Sequence, residues 1–209
     1  MSTIRIVGGV WRRTPIAVPD RPGLRPTPDR VRETLFNWLG QDLGGWRVLD
    51  AFAGSGVLGL EAASRGAAEV IMVESDRAAF AAIGRLLERL RGAKDDAARA
   101  AAGVVDLRHG DILRVLPALA AAGRRFDLVL LDPPFGQDWL GRIMPALPAV
   151  LEDGARLHVE SRAAIDPDEL AARFPAGSGQ LASLRLGRAG QVHYHLLQYR
   201  QNSRPDPRS

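Results

Sequence analysis

The chain contains no cysteine, a single lysine (Lys94) and no long apolar run. Without cysteine, disulfides and thiolate-rich zinc sites are excluded, and a reducing compartment is the natural expectation. No apolar stretch approaches the roughly 20 residues needed to cross a bilayer. The opening "MSTIRIVGGVWRR" lacks the apolar core of a signal peptide. A cytoplasmic protein without a membrane partner is expected. His109, His158, His193 and His195 show no ligand spacing, so no metal is expected either.

What is present is a chain of 209 residues, 46% of them hydrophobic, enough for one compact domain with a core that needs no staples. The formal net charge is +4, and it is unevenly placed. Residues 1–40 hold Arg5, Arg12, Arg13, Arg21, Arg25, Arg30 and Arg32 against Asp20, Asp29 and Glu33, which accounts for the whole excess. A basic segment on a neutral body suggests a footprint for a polyanion. The competing reading is a solvated surface in a protein whose default cation is arginine.

Residues 1–26 mix short apolar pieces with Pro, Gly and Arg, and read as a basic arm or hairpin. Thr27-Pro28 resembles a helix start, with Thr as N-cap and Pro at the first helical position. The helix that follows carries Val31, Leu35, Trp38 and Leu39 on one face and is expected to stop at Gly44-Gly45. Strands and helices then alternate: strands at 46–52, 68–74, 104–111, 126–132 and 155–161, helices at 56–66, 77–92, 112–123 and 139–151. The Ala-rich stretch 93–103 reads as helix or mobile insertion. Two alternating runs within 181–200 suggest an antiparallel hairpin. The expected architecture is α/β, a mostly parallel sheet with helices on both faces and ligands bound beyond the carboxyl ends of the strands. The expected division is an arm over 1–26, a catalytic domain over 27–200 and a flexible tail over 201–209.

The first strand runs into "VLDAFAGSGVLGLE", with Asp50 at the strand end and Gly54, Gly56 and Gly59 at the turn into a helix. Glycine permits positive φ and lets a ligand approach the backbone. The spacing also satisfies a dinucleotide fingerprint, so a nicotinamide or flavin cofactor competes with S-adenosylmethionine, and a plain structural turn is a third reading. Asp50 favours S-adenosylmethionine, because a carboxylate attracts a sulfonium and an amine but repels a pyrophosphate. Phe52, Gly54 and Gly56 belong to the same expected cofactor loop. Glu74, after the second strand, would accept from ribose hydroxyls, and Asp111, after the third, from the adenine amine. Taken singly, Glu74 also reads as a helix-start acid and Asp111 reads first as an N-cap, whereas three acids after three successive strands favour the cofactor.

The fourth strand ends in Asp132-Pro133-Pro134-Phe135. Proline cannot donate to a ladder and fixes φ, so two prolines end the strand in a stiff loop. The loop offers a carboxylate, a free carbonyl at Pro133 and a flat ring: two acceptors for an exocyclic amine and a face for stacking. The alternative is a strand-ending turn with Phe135 in the core.

This motif resembles that of amino-directed methyltransferases. Together with "IRIVGGVWRR", "PGLRPTPDRVRETLFNWL", "LDAFAGSGVLGLEAASRGA" and "AGQVHYHLLQY", it makes nearly the whole chain similar to the bacterial 16S rRNA guanine-N2 methyltransferase family. The resemblance implies a Rossmann-like class I methyltransferase with a seven-stranded, mostly parallel sheet and a C-terminal antiparallel hairpin. It implies S-adenosylmethionine as cofactor and 16S rRNA, in the small subunit or a late assembly intermediate, as partner. Asp132, Pro133 and Phe135 would be catalytic. Arg5, Arg12, Arg13, Arg25, Arg30 and Arg32 would grip the RNA. Rival readings are an adenine-N6 or protein-glutamine methyltransferase, and a catalytically idle RNA-binding assembly factor.

Overall fold

Short apolar runs alternating with amphipathic segments build a parallel sheet between two layers of helices. The computed structural model describes residues 2–18, 27–134 and 137–202. Expectations that fall on Arg21, Arg25, Phe135 and the tail at 203–209 lie outside the described residues. The chain opens with a hairpin, β1 (Ser2–Arg5) against β2 (Pro15–Val18), and helix α1 (Asp29–Leu39). The alternating body follows: β3 (Arg47–Asp50), α2 (Val57–Ser64), β4 (Glu69–Glu74), α3 (Arg77–Arg91), α4 (Asp96–Gly103), β5 (Val105–His109), α5 (Ile112–Ala121) and β6 (Phe126–Leu131). The last third comprises α6 (Trp139–Ile143), a 3-10 segment (Met144–Val150), β7 (Leu151–Ser161), α7 (Pro167–Ala171), β8 (Gln180–Ala189) and β9 (Val192–Arg200).

The main sheet has seven strands in the order β5-β4-β3-β6-β7-β9-β8. The first five are parallel, β9 runs antiparallel to β7, and β8 runs antiparallel to β9. Its alternation sorts side chains onto two faces. Val48, Val70, Met72, Leu128 and Leu130 pack under α1, α2, α3, α4 and the hairpin. Leu49, Ile71, Val129, Leu131 and Leu157 pack under the helical segments of the other layer. Fully burying such a side chain contributes about 1.5–3 kcal/mol. The hairpin shares the first core: Ile6, Trp11 and Ile16 are buried in it.

Several boundaries differ from the sequence expectations. α1 stops at Gly40 rather than Gly44-Gly45, because Gly40 takes the left-handed conformation (φ 100°) and its N–H closes on the Phe36 carbonyl. Thr27 does not cap α1: Pro28 occupies the N-cap position with no side-chain cap, and the Thr27 hydroxyl is used elsewhere. The segment expected as one helix over 139–151 breaks at Met144 into 3-10 geometry, which accommodates Pro145 and Pro148. Its last residue instead opens β7, which begins four residues earlier than expected. The Ala-rich stretch forms α4, capped by Asp95, and its Ala98 carbonyl accepts the Trp11 indole N–H.

Candidate active site at the carboxyl ends of the parallel strands

Four carboxylates emerge on one face of the sheet from four adjacent strands: Glu74 (β4), Asp50 (β3), Asp132 (just past β6) and Glu160 (β7). The register explains this. Asp50 lies opposite Met72 and Leu130, and Leu130 lies opposite His158, so residues two further along each strand share that face.

Asp50 is buried, and its Oδ2 accepts the Gly59 N–H at 3.0 Å. Burial, together with the charge of Glu74 and against the Gly59 bond, pushes its carboxyl up to about 7. Gly59 is required by close packing: a Cβ there would lie 2.8 Å from Met72 Cγ and 3.0 Å from Asp50 Oδ2. Gly54 (φ 56°) and Gly56 (φ 81°) turn the chain into α2. Glu74 is buried and stitches this loop to the next: its Oε2 accepts the Gly54 N–H at 2.5 Å and its Oε1 the Asp76 N–H at 2.6 Å. Burial raises its carboxyl too. Phe52 is half-buried edge-on against Trp139, at 5.5 Å between centroids. Asp111 caps α5 through the Leu113 N–H at 2.9 Å, which leaves its other oxygen open.

Asp132 is half-buried, and its Oδ2 accepts the Thr27 hydroxyl at 3.2 Å. Loss of solvent, then the charges of Glu160 and Asp50, raise its carboxyl well above the usual range, and the Thr27 bond opposes them. Pro133 is buried and Pro134 exposed. The structure therefore brings Asp50, Glu74 and Asp132 to one end of one sheet face, as the strand-end reading requires.

The arginines separate into two groups. Arg5, Arg12, Arg13 and Arg30 are exposed, on the hairpin and at the start of α1. Arg32 corrects the expected RNA grip: it is fully buried. Its Nη1 donates to Glu61 at 2.7 Å and to the Arg5 carbonyl at 2.9 Å, its Nη2 to Asp29 at 2.5 Å, and its Nε to the Thr27 carbonyl at 3.2 Å. Glu61, buried in α2, also accepts the N–H groups of Val7 and Gly8 and pairs with Arg65. A chain of contacts thus runs from the hairpin through Glu61, Arg32 and Thr27 to Asp132. Sequence reasoning missed Glu61 and the Thr27 contact in this network, and the His158–Glu160 contact on neighbouring β7. One signal was available: Arg32 lies on the α1 stripe that buries Val31, Leu35 and Phe36, where a cation requires a buried partner.

The family model described as conserved hypothetical protein 95 matches residues 4–198. The ribosomal RNA small subunit methyltransferase D of Escherichia coli K12 is 41% identical over 197 residues, 93% of this chain and 89% of that protein. The chain belongs to the ribosomal RNA small subunit methyltransferase D family. The fold fits that family. The solved structure of the yhhF protein of Escherichia coli, 35% identical, matches with a TM-score of 0.76 over 95% of this chain and 99% of that one. That of the HI0767 protein of Haemophilus influenzae, 28% identical, matches with a TM-score of 0.68 over 96% of this chain and all of that one. The Rossmann-like class I sheet of the methyltransferase D family is thus the frame on which these carboxylates are arranged.

Proposed function

We propose that this chain methylates the exocyclic N2 amine of a guanine in 16S rRNA, using S-adenosylmethionine, on the small subunit or its assembly intermediate. The observation that carries the reading is the Asp132 carboxylate, held by Thr27 beside the loop of Asp50 and Glu74. That loop suits a cationic cofactor. Asp50 and Glu74 are buried carboxylates without a guanidinium or ammonium partner among the described residues, and a sulfonium would favour their ionised forms. S-adenosylmethionine, when bound, supplies an electrophilic methyl group.

The chain's own residues account for the rest. Guanine N2 is a weak nucleophile because its lone pair is delocalised into the ring. Asp132 and the Pro133 carbonyl accept its two hydrogens, turn the lone pair out of the ring plane and stabilise the positive charge that develops on nitrogen. Asp132 then takes the surplus proton. Phe135 stacks on the base, which leaves its own stack to reach the pocket. Arg5, Arg12, Arg13, Arg25 and Arg30 hold phosphates, which fixes register without reading sequence.

The test is methyl transfer from labelled cofactor to small-subunit particles, with DNA and protein as controls, followed by mass mapping of the rRNA. Label on guanine N2 is the expected result. Label on adenine, on DNA or on protein, or no transfer at all, overturns the reading.

A further inference from the structure

Glu160 lies deep in the site, yet its surroundings are those of a controlled charge. It is 4% exposed. The β6–β7 ladder pairs Leu130 with His158 and Leu131 with Val159, so continuing the register sets Asp132 beside Glu160. His158 is fully buried on the same face, and its Nε2 lies 3.2 Å from Glu160 Oε1. With Glu160 ionised, the contact requires Nε2 to carry the hydrogen and donate it. Nδ1 has no partner, and in that tautomer it is a bare lone pair, less costly to bury than an unpaired N–H. One oxygen of Glu160 is thereby fixed from within the strand. The Thr27 hydroxyl fixes one oxygen of Asp132.

Among the described residues, few charges compete here. β3 contributes Asp50, β7 contributes Glu160 and His158, and β9 contributes Tyr194, which is opposite Glu160. Among the described residues immediately before α1, Thr27 offers a neutral hydroxyl. Arg32, which holds the Thr27 carbonyl, is committed to Glu61 and Asp29. His193 and His195 alternate onto the other face of β9, where His195 accepts the Ile165 N–H. No guanidinium or ammonium group faces the pair among the described residues, and two neighbouring carboxylates so placed do not both ionise freely.

We propose that Glu160 is a positioning residue for methyl transfer. Oriented by His158 and set in step with Asp132, its charge strengthens Asp132 as an acceptor of the amine hydrogens, and the two carboxylates hold one proton between them when no substrate is bound. The inference rests on the proposed reaction for its purpose, and on the strand register and the His158 contact for its geometry. The raised Asp132 carboxyl agrees with it. During turnover the proton leaving the methylated nitrogen goes to Asp132, and the pair passes its surplus proton to solvent.

Two measurements on the full chain test this. First, carbon-13 NMR of side-chain carboxyls follows Asp132 and Glu160 through a pH titration without cofactor, assigned with Asp132→Asn and Glu160→Gln. Both signals should show the same two separated steps, and either substitution should leave a single step for the survivor. Independent single-step titration in the parent protein overturns the proposal. Should Glu160→Gln not fold, the Glu160 signal in Asp132→Asn decides.

Second, the single-turnover rate on small-subunit particles is followed against pH. Glu160→Gln should move the acid limb to lower pH, and Glu160→Asp should return it towards the parent position. A slower rate with an unmoved limb makes Glu160 merely structural and overturns the proposal. If the parent transfers no methyl group to rRNA, the reaction itself is wrong, while the NMR titration still decides whether the pair shares a proton.

Discussion

Replacing Arg32 by leucine removes the centre of the chain that links the hairpin to Asp132. The substitution deletes donors to Glu61, Asp29 and the carbonyls of Thr27 and Arg5. Breaking a buried pair from one side costs about 3–5 kcal/mol, because the orphaned charge stays buried. Here Glu61 keeps Arg65 at 3.3 Å and the N–H groups of Val7 and Gly8, so the lower end applies, about 3 kcal/mol. In a chain of this length that corresponds to a melting temperature lowered by about 6–12 °C. The penalty carries a pH signature. Burial already raises the Glu61 carboxyl, and loss of Arg32 raises it further. An acid raised on folding favours the folded state below its unfolded value and loses that benefit as pH rises through its folded value. The cost of Arg32→Leu should therefore grow from the ordinary glutamate range upward and shrink in acid. Urea unfolding across pH measures it. The double variant Arg32→Leu/Glu61→Leu should recover most of the loss, since both buried charges go together. A single variant as stable as the parent at neutral pH, with weakened RNA binding as its sole defect, would refute the buried-link reasoning and restore Arg32 to the RNA grip.

Three further outcomes follow from the site. Cofactor affinity should rise with pH through about 7 as Asp50 ionises to meet a cation, and Asp50→Asn should flatten that rise in a calorimetric titration, whereas an unchanged profile would place the cofactor elsewhere. Asp132→Ala should retain cofactor and lose turnover. Near-full single-turnover activity in Asp132→Asn would show that Asp132 orients the amine without taking its proton. Replacing Arg12 and Arg13, both exposed, should lower the salt dependence of particle binding by roughly 0.7–0.9 in log–log slope for each phosphate that is no longer neutralised, with cofactor affinity unchanged, and an unaltered slope would mean that the hairpin arginines are only solvated surface.

The parts of this molecule that were legible in the sequence are those governed by local chemistry. The strand–helix alternation, the glycine turn after Asp50 and the proline stop after Asp132 each follow from residues adjacent in the chain. So did the C-terminal hairpin, because β8 and β9 meet across a tight turn. The errors came where partners are distant. Arg32 counts as a surface charge until Glu61, 29 residues on, is seen beside it. Thr27 has the chemistry of an N-cap, yet its hydroxyl meets Asp132 from 105 residues away. Glu160 closes a strand like many acids, and only the β6–β7 register sets it next to Asp132. The α1 boundary failed for a local reason: Gly40 and the Gly44-Gly45 pair offer the same conformational freedom, and the first in line was used.

The two outer strands of the main sheet bear on how the protein behaves at high concentration. Both β5 and β8 have one edge without a neighbouring strand, and such edges recruit further strands. β5 is only five residues long and exposes Asp106. β8 is ten residues long, but its pairing with β9 slips between Ser183 and Arg185, and Arg185 and Arg188 project from it into solvent. A second copy approaching edge to edge meets a kinked ribbon carrying its own sign of charge. Exposed Leu186 sits between those two arginines, which makes a tolerable surface of what would otherwise be a sticky tip. Neutralising both arginines would turn this margin into a site of self-association, without altering a single residue of the core.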